Sequence, residues 1–209
     1  MKRMAIFTWS PVFALILLSS ACTHRAVLSD TDLIPPRSVK QLPLTVGVYI
    51  DPSICAHVDK EQCRSGIYTQ KIEVVSGKKI ERALELVAET CFLKAIKVQE
   101  PFIGEEQNAL LKFTFNGEPN LTCDWNAGWV NVGAECTYIL PVKASLTDLN
   151  EKMIWTDSVI AVAKHASDQA MVNMPDAKDF YPAVEAAINN LMKEMCTRIS
   201  SIPIHTSSP

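Results

Sequence analysis

Cysteine offers the most chemistry in this 209-residue chain, which holds seven: Cys22, Cys55, Cys63, Cys91, Cys123, Cys136 and Cys196. A thiolate attacks carbonyls, binds zinc or closes a disulfide, and spacing decides between these. Cys55, His57 and Cys63 form a C-x-H-x5-C cluster. Zinc sites use tighter paired spacings and a fourth ligand, so no metal is expected there. A cysteine nucleophile with His57 or His165 as base needs an unpaired thiol of lowered pKa. With Cys22 set aside for a reason given below, 7 − 1 = 6 cysteines remain, an even set with none left over. They read as a disulfide framework: Cys55 with Cys63 in one loop, Cys123 with Cys136 across a hairpin turn, and Cys91 with Cys196 between two helices.

Other polar groups advertise less. Asp51 and Asp59 flank Cys55, and paired carboxylates do acid–base work, but acidic loop residues are usually just solvated. Trp125 and Trp129 bracket a turn and Trp155 lies in a later strand, where tryptophans serve as core or cross-strand partners. Phe180-Tyr181-Pro182 reads as a capping and packing feature, and His165 has no evident partner. A glycine-rich phosphate loop, a serine elbow and an HExxH motif are all missing from the sequence. Neither a catalytic residue nor a cofactor is therefore expected. Nor is nucleic acid: a net charge of −3 with scattered Lys and Arg lacks the basic face that displaces counterions from phosphate.

The elements that position these residues follow from periodicity. Leu44 to Ile50 is a β-branched apolar run between Pro43 and Pro52, a first strand. Asp51 to Gly66 reads as a loop and Tyr68 to Val75 as a short strand. Ser76 is a candidate N-cap for a helix to about Leu93, whose buried stripe is Ile80, Ala83, Leu84, Val87, Ala88, Cys91 and Phe92. Short strands follow over Ala95–Gln99, Leu110–Phe115 and Leu121–Trp125. After the turn Asn126-Ala127-Gly128 come Trp129–Leu146 and Met153–His165. A last helix runs from Asp176–Lys178 to about Ser200. Hairpin connections suit this spacing, giving an α/β (α+β) sandwich with a mainly antiparallel sheet and two helices packed on one face.

The chain opens with Lys2 and Arg3, an apolar run from Val12 to Leu18, and small residues Ser19, Ser20 and Ala21 before Cys22. That order reads as an export leader over residues 1–21. Leu18-Ser19-Ser20-Ala21-Cys22 resembles a bacterial lipobox, although Ser19 stands where that pattern prefers leucine. The resemblance implies cleavage before Cys22, lipidation of its thiol and three acyl chains, whereas Ser19-Ser20-Ala21 by themselves equally suit ordinary signal peptidase I. Each buried methylene contributes about 0.8 kcal/mol, so such an anchor is effectively permanent. Thr23, in the place where inner-membrane retention shows aspartate, implies the outer membrane. Residues 22–41 then read as a lipidated flexible tether, 42–203 as one α/β domain and 204–209 as a polar tail.

The strand wording Leu42-Pro43-Leu44-Thr45-Val46-Gly47-Val48-Tyr49-Ile50, followed by helix, meander and closing helix, is similar to small bacterial envelope lipoproteins. These include the amino-terminal domain of TolB and the curli-secretion and penicillin-binding-protein-activator lipoproteins. The expected function is that of a non-catalytic accessory lipoprotein, held on the periplasmic face of the outer membrane. It would bind another cell-envelope protein through an edge strand or the Cys55–Cys63 loop, and assist its assembly or activity. The alternative is a carrier of a small apolar or lipid ligand between sheet and helices.

Overall fold

The computed structural model describes residues 23–29, 33–36, 40–65, 68–127, 132–169 and 177–203. The leader with Cys22, the turn residue Gly128 with Trp129, and the tail 204–209 lie outside the described residues. The strands are β1 (Thr23–Val27), β2 (Leu42–Ile50), β3 (Val58–Ser65), β4 (Tyr68–Val75), β5 (Phe92–Val98), β6 (Ala109–Phe115), β7 (Asn120–Ala127), β8 (Val132–Asp148) and β9 (Met153–Gln169). The helices are α1 (Pro52–Cys55), α2 (Gly77–Cys91) and α3 (Tyr181–Ser200), the last preceded by a 3-10 turn at Ala177–Phe180.

The expected single sheet with two helices on one face becomes a mixed α/β arrangement of two sheets. The larger runs β5-β2-β6-β8. Its antiparallel half keeps two of the expected hairpins, β8 with β7 along Val132–Ile139 and β8 with β9 over most of its length, but β6 pairs with β8 along Val142–Asp148 and not with the next strand, β7. Its other half is parallel, because β2 pairs with both β5 and β6 in the same direction. Parallel neighbours need crossovers, and the crossover from β2 to β5 contains α1, β3, β4 and α2. The near-continuous apolar wording of β2 fits this central place, with Val46, Val48 and Ile50 buried.

The second sheet is β1-β4-β3, and two expectations fail there. The stretch read as a loop holds α1 and β3. Asp51 starts α1 by accepting the Ser53 N–H at 2.9 Å, with Pro52 in the first turn where its missing N–H costs nothing. The stretch read as a tether begins with a strand: β1 pairs in parallel with β4 from Thr23↔Lys71 to Val27↔Val75. Leu28 is then buried, its N–H donating to the Val75 carbonyl at 3.1 Å.

The α2 stripe is as read, with Ile80, Ala83, Leu84, Val87, Ala88 and Cys91 fully buried. Lys79 and Glu81, which the spacing assigns to solvent, are buried too. Lys79 reaches Glu185 of α3 at 2.5 Å, and Glu81 is held by lysines described below. α2 packs on β2 and β5, α3 on β8 and β9, and the helices touch each other. Leu111, Phe113, Leu140, Leu146 and Ile188 fill the space between. No helix among the described residues is long and apolar enough to cross a membrane.

Candidate functional site

The densest polar cluster centres on Asp59. Strand alternation turns its side chain inward, leaving it 3% exposed, while Lys60 points out. An ionised carboxylate there requires donors, and three converge. His57 Nε2 lies 2.8 Å from Oδ1, while the Ser76 hydroxyl at 2.7 Å and the Tyr138 hydroxyl at 3.2 Å donate to Oδ2. Ser76 holds the expected N-cap position of α2 but directs its hydroxyl to Asp59 and makes no side-chain cap bond. Burial, and then the nearby Asp59 charge, push the Tyr138 hydroxyl well above its ordinary pKa, so it stays a donor.

The neighbouring backbone is fitted closely. A Cβ on Gly77 would sit 2.5 Å from the Cys55 carbonyl oxygen, 2.6 Å from that of Ile54 and 2.7 Å from the His57 nitrogen. Only glycine lets the start of α2 press on α1 so closely, and the Gly77 N–H donates to the His57 carbonyl at 3.1 Å. The His57 ring then stands edge-on to Phe115, centroids 5.2 Å apart.

His57 and Asp59 form part of the wall of an open groove of about 790 Å³. Ser53 and Lys60 continue that wall, and Phe115 with the turn Gly117–Leu121 faces it. The turn depends on Gly117, whose φ of 119° lies in the left-handed region. The arrangement fixes an imidazole in a half-polar, half-apolar trough. Among the described residues it couples that imidazole to no hydroxyl: Ser53 donates to Asp51 at 2.6 Å and Ser76 to Asp59. Asp51 and Asp59 are thus each bonded to donors of their own. The Ser53 bonds hold the Asp51 carboxyl below its usual range.

The cysteines divide. Cys123 and Cys136 stand in register on β7 and β8 and are disulfide-bonded. Cys91 on α2 and Cys196 on α3 meet as buried thiols, sulfurs 2.9 Å apart. The hydrogen bond with Cys196, and then burial, raise the Cys91 pKa. Cys55 carries a free thiol, so the expected bond to Cys63 is not made. The reason is β3 itself: Cys63 sits opposite Gln70, five extended residues and so roughly 16 Å beyond Val58. Burial, then the Glu81 carboxylate, push the Cys55 thiol pKa up, the opposite of what a nucleophile needs. Glu81 takes bonds from Lys78 at 2.8 Å and Lys97 at 2.6 Å. Burial alone would raise its pKa, but those bonds and one from Cys55 outweigh it and hold the carboxyl down at about 2. Among the described residues no group of three or more His, Cys, Asp or Glu is placed to hold a metal ion.

Of the remaining residues singled out in the sequence, Trp155 packs against the core, Trp125 stands in β7 opposite Ala134, and His165 in β9 opposite Cys136. Phe180 is buried, and the Tyr181 hydroxyl donates to the Val27 carbonyl at 3.2 Å. Sequence reasoning missed Ser76 and Tyr138 as site residues. For Tyr138 a signal existed: its place at an inward position of an alternating strand obliges a buried hydroxyl to find an acceptor.

The sequence matches no protein-family model and no curated protein. Two solved structures align with most of it. One is a Xanthomonas campestris protein of the family DUF330, at 11% identity over 86% of this chain and 95% of that one, TM-score 0.45. The other is a Helicobacter pylori neuraminyllactose-binding hemagglutinin homolog, at 10% identity over 83% of this chain and 95% of that one, TM-score 0.45.

Proposed function

We propose that this chain is a non-catalytic accessory lipoprotein of the bacterial cell envelope, anchored through Cys22 on the periplasmic face of the outer membrane. It binds another envelope protein in the groove between α1–β3 and the β6–β7 turn, and assists that protein's assembly or action. The leader and its cysteine support the anchor. The groove supports the recognition: its wall is braced by the buried Asp59 network, and among the described residues Ser53 and Ser76 donate to carboxylates and not to its imidazole. A rigid, mixed-polarity trough suits a docked polypeptide segment. Photocrosslinking residues placed at Glu118 or Asn120, both exposed beside the groove, test it in cells. One discrete adduct with an envelope protein is expected from these positions and none from Asn150 in the β8–β9 turn. Equal adducts from all three, or none from the groove, overturn it.

A second reading, a carrier of an apolar ligand, has one observation in its favour. An open cavity of about 630 Å³ lies between Ile34-Pro35-Pro36 and the α3 residues Asn189, Met192 and Cys196. Asn189 Oδ1 is buried there with no hydrogen-bond partner among the described residues. Native mass spectrometry separates the readings, since a carrier purifies with added mass.

A further inference from the structure

The lipid-bearing residue and the smaller sheet are contiguous. Cys22 is bonded to Thr23, and Thr23 is already the first residue of β1 paired to Lys71. β1 is also fixed at its far end, by the Leu28 N–H on the Val75 carbonyl and the Tyr181 hydroxyl on the Val27 carbonyl. One peptide unit spans about 3.8 Å and a strand spacing adds about 4.8 Å, so no spacer separates the acyl chains from the sheet.

The charge on that sheet matches a lipid surface. Ile72 and Val74 of β4 are buried, so Lys71 and Glu73 face outward with their partners in register. One cross-strand row is Thr23-Lys71-Gln62 and the next on the same face is Arg25-Glu73-Lys60. Arg25, Lys60 and Lys71 are exposed, and Glu73 is the one acid among these six residues. On a chain of net charge −3 this is a locally cationic face.

We infer that the β1-β4-β3 sheet lies directly on anionic phospholipid headgroups, and that the domain is docked on the bilayer instead of swinging from a tether. This rests on the lipidation of Cys22 proposed above. Cationic side chains held within a Debye length of the surface are drawn to it. The posture constrains the partner. Lys60 of the groove wall is two residues along β3 from Gln62, so the groove opens within roughly 20 Å of the headgroups. The segment it takes is therefore one that a membrane protein exposes close to the bilayer.

The test uses the acylated full chain in vesicles of phosphatidylethanolamine and phosphatidylglycerol that contain a nitroxide-headgroup lipid. A fluorescent non-natural residue replaces Gln62 in one preparation and Asn150 in another. Glu61 bonds to the backbone of Cys123, opposite Cys136, and Asn150 lies beyond the far end of β8 from there, roughly 40 Å along the strand. Quenching is expected to be several-fold stronger at Gln62. Reversing Arg25, Lys60 and Lys71 to Glu should weaken the quenching at Gln62 several-fold while the protein still floats with the vesicles. Equal quenching at the two positions in acylated, floating protein, or quenching at Gln62 that the reversal leaves unchanged, overturns the docking and leaves the anchor standing. Wild-type protein that neither takes up palmitate nor floats removes the anchor, and the docking with it.

Discussion

The Ser76 hydroxyl donates to Asp59 Oδ2 at 2.7 Å, joining the residue before α2 to the second residue of β3. With Tyr138 of β8 on the same oxygen, Asp59 ties the smaller sheet, a helix start and the larger sheet together. Removing it strands two hydroxyls. Asp59→Ala is expected to cost roughly 2–4 kcal/mol and Tyr138→Phe about 1 kcal/mol, read by urea denaturation of the unacylated Cys22→Ser form. Equal, small effects for both would mean that water satisfies the donors.

Gly77 gives a prediction of opposite sign to helix propensity. Alanine in a helix is ordinarily better than glycine by roughly 0.5–1 kcal/mol. Here its Cβ meets three backbone atoms at 2.5–2.7 Å. Gly77→Ala is expected to lower the melting temperature and to loosen α1, seen as faster amide exchange at Ala56 and His57.

The Glu81 carboxyl, held at about 2 against an ordinary 4.5, makes stability depend on acid. Because the folded pKa is depressed, its contribution is complete above about pH 4.5 and disappears as pH falls toward 2. Lys78 and Lys97 are themselves largely exposed, so screening trims the contribution to roughly 1–2 kcal/mol. Glu81→Gln should lower stability by that amount at neutral pH and flatten the melting curve series between pH 4.5 and 2.

Cys91 and Cys196 are 105 residues apart in sequence and in contact in the core. In an oxidising compartment the loss of two protons and two electrons would join them, restricting the unfolded chain by about 3–5 kcal/mol. Protein recovered from the periplasm is expected to show that bond beside Cys123–Cys136 by mass spectrometry, with Cys55 recovered as an alkylatable thiol. A double Cys91→Ala, Cys196→Ala variant should lose stability without reductant and little with it.

Legibility followed locality. α2 and β2 carry their burial pattern in their own residues, so both were readable. β3 was not: Val-Asp-Lys-Glu-Gln-Cys-Arg-Ser holds one aliphatic residue, and the burial of Asp59 is compensated by partners 17 and 79 residues away. β1 reads as tether because Thr-His-Arg-Ala-Val has no apolar alternation; its order comes from β4. The same non-locality hid the parallel pairing of β2. His57 and Asp59 both stand out in the sequence, as base and acid candidates, but their relation depends on β3 being a strand.

The most direct test of the central claim is palmitate incorporation by cells expressing wild type or Cys22→Ser, with both proteins followed through membrane flotation. The wild type should be labelled and float with outer membrane, and the variant should be unlabelled and released as soluble periplasmic protein. Label retained after loss of the Cys22 thiol, or a wild type that takes up none, contradicts the account.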